Sequence, residues 1–275
     1  STINMIHSRM ASLLCIGCGC FSADDDHLDD IKIGDTPHSA EFVTNSQLHL
    51  RAAEKKLEEG QIPACVLLLK EAIEMHPNSA DIHYLLGHVL YAYQSKPDDA
   101  EQHLLKALAL DSSNSTKALS DLGFLACGKK QFNESASYLE RAIELDPQDA
   151  SAWAVLGSVY RAIGKEQDAV EAYLKAVELN PLNMTAFYNL ANIYHGRQER
   201  EMAIKSYEKT IEIHPGHFDA WCNVGIVHQE NGDLEKALES YEKAVEINPS
   251  LDEGLKDHCT SIRSYLAKER GAPSF

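Results

Sequence analysis

The chain has 275 residues, of which 44% are hydrophobic, and it carries a formal net charge of −17. The apolar content is sufficient for a folded core and argues against a disordered chain. Because the negative charge repels phosphate groups, we exclude nucleic acid as the expected partner and favour basic protein segments. No stretch contains the run of about 20 apolar residues that a transmembrane helix requires.

The first segment, residues 1–45, does not share the pattern of the rest of the chain. It contains an apolar stretch with three cysteines, Cys15, Cys18 and Cys20, followed by an acidic linker. This stretch has four interpretations: docking against a neighbouring protein, S-acylation of the cysteines, a targeting peptide, or a metal site that lacks a fourth ligand. We favour docking and keep acylation, with peripheral membrane attachment, as the alternative. We expect no metal and no other cofactor.

From residue 46 to residue 251, apolar and small residues return with a period close to 34 residues. The period is clearest in three successive sets: Trp153, Gly157 and Pro181, then Phe187, Ala191 and Pro215, then Trp221, Gly225 and Pro249. Within each half-period, apolar residues lie at i, i+3, i+4 and i+7, which predicts two amphipathic helices per repeat. Six repeats are predicted, at residues 46–79, 80–114, 115–149, 150–183, 184–217 and 218–251.

Glycine and proline separate the predicted helices. Gly60, Gly164 and Gly232 stand where the first helix of a repeat must end, because glycine adopts a left-handed conformation without strain. A proline then follows the second helix of most repeats and excludes its continuation. Such fixed interruptions argue against a coiled coil, whose heptads they would break. Residues 252–275 are predicted to form a capping helix and a tail.

This repeat is identified as the tetratricopeptide pattern, and the resemblance covers about three quarters of the chain. It implies an all-α fold, a right-handed α-solenoid of about six helix-turn-helix repeats with a C-terminal capping helix. It also implies that the first helices of the repeats line a concave groove that binds partner segments. The groove residues that the resemblance implies are Tyr84, His88, Tyr91, Ser120, Phe124, Ser158, Arg161, Tyr188, Asn189, Asn192, His195, Asn223, Ile226 and Gln229.

The expected groove combines aromatic, amide and imidazole side chains with little charge. This mixture suits packing and hydrogen bonding to a peptide, although many of these positions could equally be ordinary solvated helix positions. Family members that bind the acidic tails of chaperones use a clamp of Lys, Asn and Arg side chains. Asn192 and Asn223 match this clamp, but Tyr188 replaces a lysine, and Glu253 and Asp257 replace the final Lys and Arg. We therefore expect no clamp for acidic chaperone tails.

The sequence contains no phosphate-binding loop, dinucleotide motif, nucleophile elbow or metal-binding histidine pair, so we predict that the chain is not an enzyme. The predicted function is a non-enzymatic scaffold for protein–protein interactions, as a subunit or assembly factor of a larger complex. The alternative is a membrane-tethered adaptor or targeting receptor with transient peptide ligands. The other four cysteines lie singly, which is typical of buried thiols in a reducing intracellular compartment, the cytoplasm or an organelle interior.

Overall fold

The computed structural model describes residues 45–111, 115–249 and 253–270. Within these ranges the chain forms 13 helices and no strand. The chain divides into two compact units, one ending at Val159 and the other beginning at Tyr160. The helix-turn-helix pairs and the single C-terminal helix confirm the predicted all-α repeat fold.

The first unit consists of three helical hairpins and the start of a seventh helix. The hairpins pair α1 (Asn45–Glu58) with α2 (Ile62–Met75), α3 (Ala80–Gln94) with α4 (Pro97–Leu110), and α5 (Ser115–Gly128) with α6 (Phe132–Leu145). The seventh helix is α7 (Ala150–Ala162). Buried Leu69, Leu86, Leu104 and Leu122 connect successive hairpins in one apolar core. Each hairpin therefore depends on its neighbour to cover its apolar stripe.

The second unit contains the remaining helices. They are α8 (Glu166–Leu179), α9 (Met184–Gly196), α10 (Arg200–Ile213), α11 (Phe218–Glu230), α12 (Leu234–Ile247) and α13 (Glu253–Glu269). The last helix, α13, buries Cys259, Ile262 and Leu266 against Ala237 and Tyr241 of α12. This packing covers the apolar face of the sixth hairpin and confirms the predicted capping helix.

Glycine inside the first helices allows the second helices to approach closely. A Cβ atom added at Gly123 of α5 would lie 2.5 Å from Cγ of Leu139 in α6. A Cβ atom added at Gly225 of α11 would lie 2.6 Å from Cε1 of Tyr241 in α12. At both positions a large side chain of the second helix packs directly over the glycine.

A residue in the left-handed conformation follows the first helix of each of the six predicted repeats. Three are glycines, Gly60, Gly164 and Gly232, with φ angles of 70°, 80° and 84°. The other three are Ser95, Lys130 and Gln198, with φ angles of 50°, 60° and 63°. The predicted glycine turns are confirmed. In the other three repeats, a residue with a Cβ atom adopts the same left-handed backbone conformation despite its strain.

No helix in the described ranges combines the length and the apolar character that a membrane span needs.

Candidate functional site

The fourteen predicted groove residues separate into two classes by burial. Nine are partly or fully exposed: Tyr84, Tyr91, Arg161, Tyr188, Asn192, His195, Asn223, Ile226 and Gln229. The other five are buried: His88, Ser120, Phe124, Ser158 and Asn189. These five lie beneath the surface, so they can act on a partner only by holding the exposed residues in place. The prediction of direct contact with a partner therefore applies only to the nine exposed residues.

In the first unit, a buried aspartate links two first helices. Nδ1 of His88 in α3 donates a hydrogen bond of 2.8 Å to Oδ2 of Asp121 in α5. The His88 and Asp121 side chains are only 1% and 0% exposed. The Tyr84 ring lies 5.8 Å from the His88 ring, between centroids. We refer to Tyr84, His88 and Asp121 as the acidic cluster.

The environment of the acidic cluster raises the pKa of the Tyr84 phenol. Burial, reinforced by the negative charge of Asp121, holds the pKa of Tyr84 well above its usual value. Sequence reasoning missed Asp121, although a carboxylate inside the apolar stripe of α5 is an unusual signal. Its position, two residues before Gly123, is equivalent to that of Asn223 before Gly225.

Ser120 has a structural role at the start of the next repeat. Its Oγ donates a hydrogen bond of 3.0 Å to Oδ2 of Asp149. The other carboxylate oxygen of Asp149 accepts hydrogen bonds from the backbone N–H groups of Ser151 and Ala152, each of 3.0 Å. Asp149 therefore caps the N-terminus of α7, and Ser120 fixes the orientation of the capping carboxylate.

In the second unit, a neutral cluster occupies the equivalent positions. Nδ2 of Asn223 in α11 donates hydrogen bonds to the hydroxyl of Tyr188 (3.2 Å) and to Oδ1 of Asn192 (3.3 Å), both in α9. The hydroxyl of Tyr207 in α10 also donates to Oδ1 of Asn192, at 2.5 Å. We refer to Tyr188, Asn192 and Asn223 as the amide cluster. All three side chains are partly exposed, so this cluster is accessible to a partner.

Two further predicted residues, His195 and Gln229, lie near the C-terminal ends of α9 and α11. Nε2 of His195 lies 3.1 Å from Oε2 of Glu230, and Nε of Arg200 lies 3.8 Å from the same oxygen. Oε1 of Gln229 accepts hydrogen bonds from the hydroxyl of Tyr241 (3.0 Å) and from Nε2 of His258 (2.8 Å). Burial raises the pKa of Tyr241 to about 12, so its phenol is a donor at neutral pH.

A pocket of about 520 Å³ opens between α11, α12 and α13. Its walls include Phe218, Cys222 and Ile226 of α11, Tyr241 of α12, and Leu255 and His258 of α13. Of the residues that line the pocket, Ile226 and Gln229 were predicted as groove residues. The others were missed because the capping helix was interpreted as a cover and not as a wall of a site.

Among the described residues, no group of three or more His, Cys, Asp or Glu side chains is arranged to hold a metal ion. Cys15, Cys18 and Cys20 lie outside the described residues, so the proposed acylation stays a prediction.

Three family models match the chain. The model described as the cytochrome c-type biogenesis protein H TPR domain matches residues 139–253. Two tetratricopeptide repeat models match residues 68–102 and 117–149. Together these matches span residues 68–102 and 117–253, which is more than half of the chain.

Among curated proteins, the chain is similar to the type IV pilus assembly protein PilF of Pseudomonas aeruginosa, with 27% identity over 174 residues. The match covers 62% of this chain and 65% of PilF, so the chain spans somewhat less than two thirds of that relative. Among solved structures, YrrB, described as a TPR protein with an unusual peptide-binding site, is 26% identical with a TM-score of 0.59. That match covers 70% of this chain and 97% of YrrB. MamA is 29% identical with a TM-score of 0.55, and the match covers 60% of this chain and 95% of MamA.

Proposed function

This chain belongs to the tetratricopeptide repeat family, and on that premise we propose that it is a scaffold for protein–protein interactions. It acts as a subunit or assembly factor of a larger complex and performs no catalysis itself. Its first helices bind extended, neutral or basic segments of partner proteins, and the amide cluster is the centre of this surface.

The proposal rests on two amide groups of the cluster that still have hydrogen-bonding capacity. Oδ1 of Asn192 accepts two hydrogen bonds, but its Nδ2 group has no hydrogen-bond partner within the described residues. Nδ2 of Asn223 donates two hydrogen bonds, whereas its Oδ1 atom accepts none from the described residues. One donor on α9 and one acceptor on α11 therefore remain available to a partner. This arrangement suits the C=O and N–H groups of an extended peptide backbone.

The relatives support an assembly role. YrrB is described as having a peptide-binding site, and PilF is named as an assembly protein. A peptide held through backbone groups needs no particular sequence, which suits a scaffold that contacts several subunits. The net charge of −17 favours neutral or basic segments over acidic ones.

Substitution of the two asparagines tests this proposal. We expect Asn192→Ala/Asn223→Ala to lose the partners that co-purify with the unsubstituted chain under gentle salt, as measured by quantitative mass spectrometry. The matched control is Asn133→Ala, which makes the same chemical change at an exposed position of the second helix α6. Thermal melting by circular dichroism separates loss of binding from loss of folding. Equal recovery of the same partners with the double variant would refute the proposed site.

Salt dependence distinguishes a fixed subunit from a transient adaptor. A fixed subunit buries a large apolar interface, so it should co-purify in a constant ratio at high ionic strength. An adaptor that relies on charge should be lost at moderate salt, because exposed charges are screened. Loss of all partners at moderate salt would exclude the subunit role and leave the adaptor role.

A further inference from the structure

We propose that the pocket between α11, α12 and α13 binds one large apolar side chain of a partner segment that carries Lys or Arg close to that residue. This inference rests on the proposed function, since it assigns an anchor residue to the segment that the first helices bind. It adds a second contact point beside the amide cluster, with a different chemistry.

The pocket exists because two positions change between the fifth and sixth repeats. Tyr188 fills the equivalent space in the fifth repeat, where its ring centroid lies 6.0 Å from Tyr207 and 4.8 Å from His217. The equivalent position in the sixth repeat holds Cys222, which is much smaller than tyrosine. The position of Asn192 likewise holds Ile226, so the polar part of the amide cluster is replaced by an apolar wall. The space that is polar and filled in the fifth repeat is therefore apolar and open in the sixth repeat.

The walls of the pocket are suited to an apolar occupant. Phe218, Ile226 and Leu255 contribute apolar surface from two helices, and Ile226 is 39% exposed although it is a large hydrophobic residue. The polar atoms within the pocket bond to one another, because Gln229 accepts hydrogen bonds from both Tyr241 and His258. A ligand therefore finds apolar contact area without a buried polar group that requires a new partner. The volume of about 520 Å³ lies within the usual range of ligand pockets.

The charges around the pocket favour a ligand that carries a basic residue next to its apolar residue. Glu230 lines the pocket, and Asp257, adjacent to His258, is exposed and forms no ion pair with the described residues. Three basic side chains on or next to α13 have partners of their own. Arg263 pairs with Glu242, Arg270 pairs with Glu235, and Nζ of Lys256 donates a hydrogen bond to the carbonyl of Pro249. Glu230 is paired with Arg200 at 3.8 Å, so the exposed Asp257 and the net charge of −17 are the features that favour Lys or Arg on the ligand.

Nuclear magnetic resonance of the full chain with short synthetic peptides tests the proposal. The probe is acetyl-Lys-Ser-Phe-Ser-Lys-amide, and two control peptides replace Phe by Ala or both Lys by Glu. We expect the probe to shift the backbone amide signals of Cys222, Ile226 and Leu255. We expect the Ala peptide to bind at least about tenfold more weakly, because most of the buried apolar area is lost. The Glu peptide should also bind more weakly, and the difference should decrease with added salt.

Two protein variants test whether the peptide binds in the pocket. Cys222→Tyr fills the pocket with the side chain that the fifth repeat carries, and Ile226→Asn restores the amide of the fifth repeat at an exposed position. Both should abolish the peptide-induced shifts, and Ile226→Asn keeps the test valid if Cys222→Tyr does not fold. Asn133→Ala, at an exposed position of α6 that belongs neither to the pocket nor to the amide cluster, should leave the peptide affinity unchanged.

Three results would overturn the inference: binding that survives both pocket variants, equal affinity for the Phe and Ala peptides, or no shifts at millimolar probe. These results leave the proposed function standing, because that function is tested by the partners lost in the double asparagine variant.

Discussion

Gly123 of α5 offers the sharpest test of the packing between the two helices of a hairpin. Alanine at this position would place its Cβ atom 2.5 Å from Cγ and 2.7 Å from Cδ2 of Leu139. Leu139 is fully buried, so its side chain cannot rotate into solvent to make room. Overpacking of this kind costs about 1–3 kcal/mol. Alanine regains about 0.5–1 kcal/mol of helix propensity, so we expect a net loss of up to about 2.5 kcal/mol in the free energy of unfolding.

Urea unfolding followed by circular dichroism measures this effect, with Gly196→Ala as the matched control. Gly196 is the last residue of α9, and a Cβ atom added there has no neighbouring atom within 4 Å. The control should therefore be neutral or should stabilise the protein by less than about 1 kcal/mol. If both alanine variants shift the unfolding midpoint by the same amount in the same direction, the close packing of α5 against α6 is refuted.

Three further predictions concern buried or half-buried side chains. His88→Leu should lower the free energy of unfolding by about 3–5 kcal/mol in urea titrations, because Asp121 loses its 2.8 Å hydrogen-bond donor; an unchanged midpoint would contradict the acidic cluster. Ala203→Trp should lower the melting temperature through an overpacking cost of about 1–3 kcal/mol or more at a fully buried position, and unchanged melting would show that the register of the repeats is wrong. Burial, followed by the charge of His83, lowers the pKa of His103, so the folded state resists its protonation. The contribution of neutral His103 to the free energy of unfolding should therefore be complete above the unfolded pKa of about 6.5, and it should decrease as the pH falls from there towards the lowered pKa. In melts recorded between pH 7 and pH 5, His103→Gln should reduce this decrease.

The helical repeats could be predicted from the sequence because their determinants are local and periodic. Small residues such as Gly123 and Gly225 recur where two helices must touch, and glycine marks three of the six turns. The capping helix was also predictable, since Cys259, Ile262 and Leu266 form one apolar face. These signals depend on spacing along the chain and not on which side chain of a neighbouring repeat lies opposite.

The groove was less predictable because burial depends on the neighbouring repeat. His88 and Asn192 occupy equivalent positions, but His88 is buried with a carboxylate while Asn192 is partly exposed. Spacing along the chain alone cannot separate these two outcomes. The pocket was missed for a related reason, since one of its walls belongs to α13, which lies outside the 34-residue pattern.

Two of the turns that lack glycine have a consequence for protein engineering. Lys130 and Gln198 hold left-handed φ angles of 60° and 63° that only glycine adopts without strain. Natural sequences tolerate such residues because selection removes only variants that fall below a stability threshold. Glycine at both turns should therefore raise the mutational tolerance of the chain without changing either polar cluster. Such a background would let strongly destabilising changes in the acidic cluster be purified as folded protein, so that their effects on binding can be measured separately from their effects on folding.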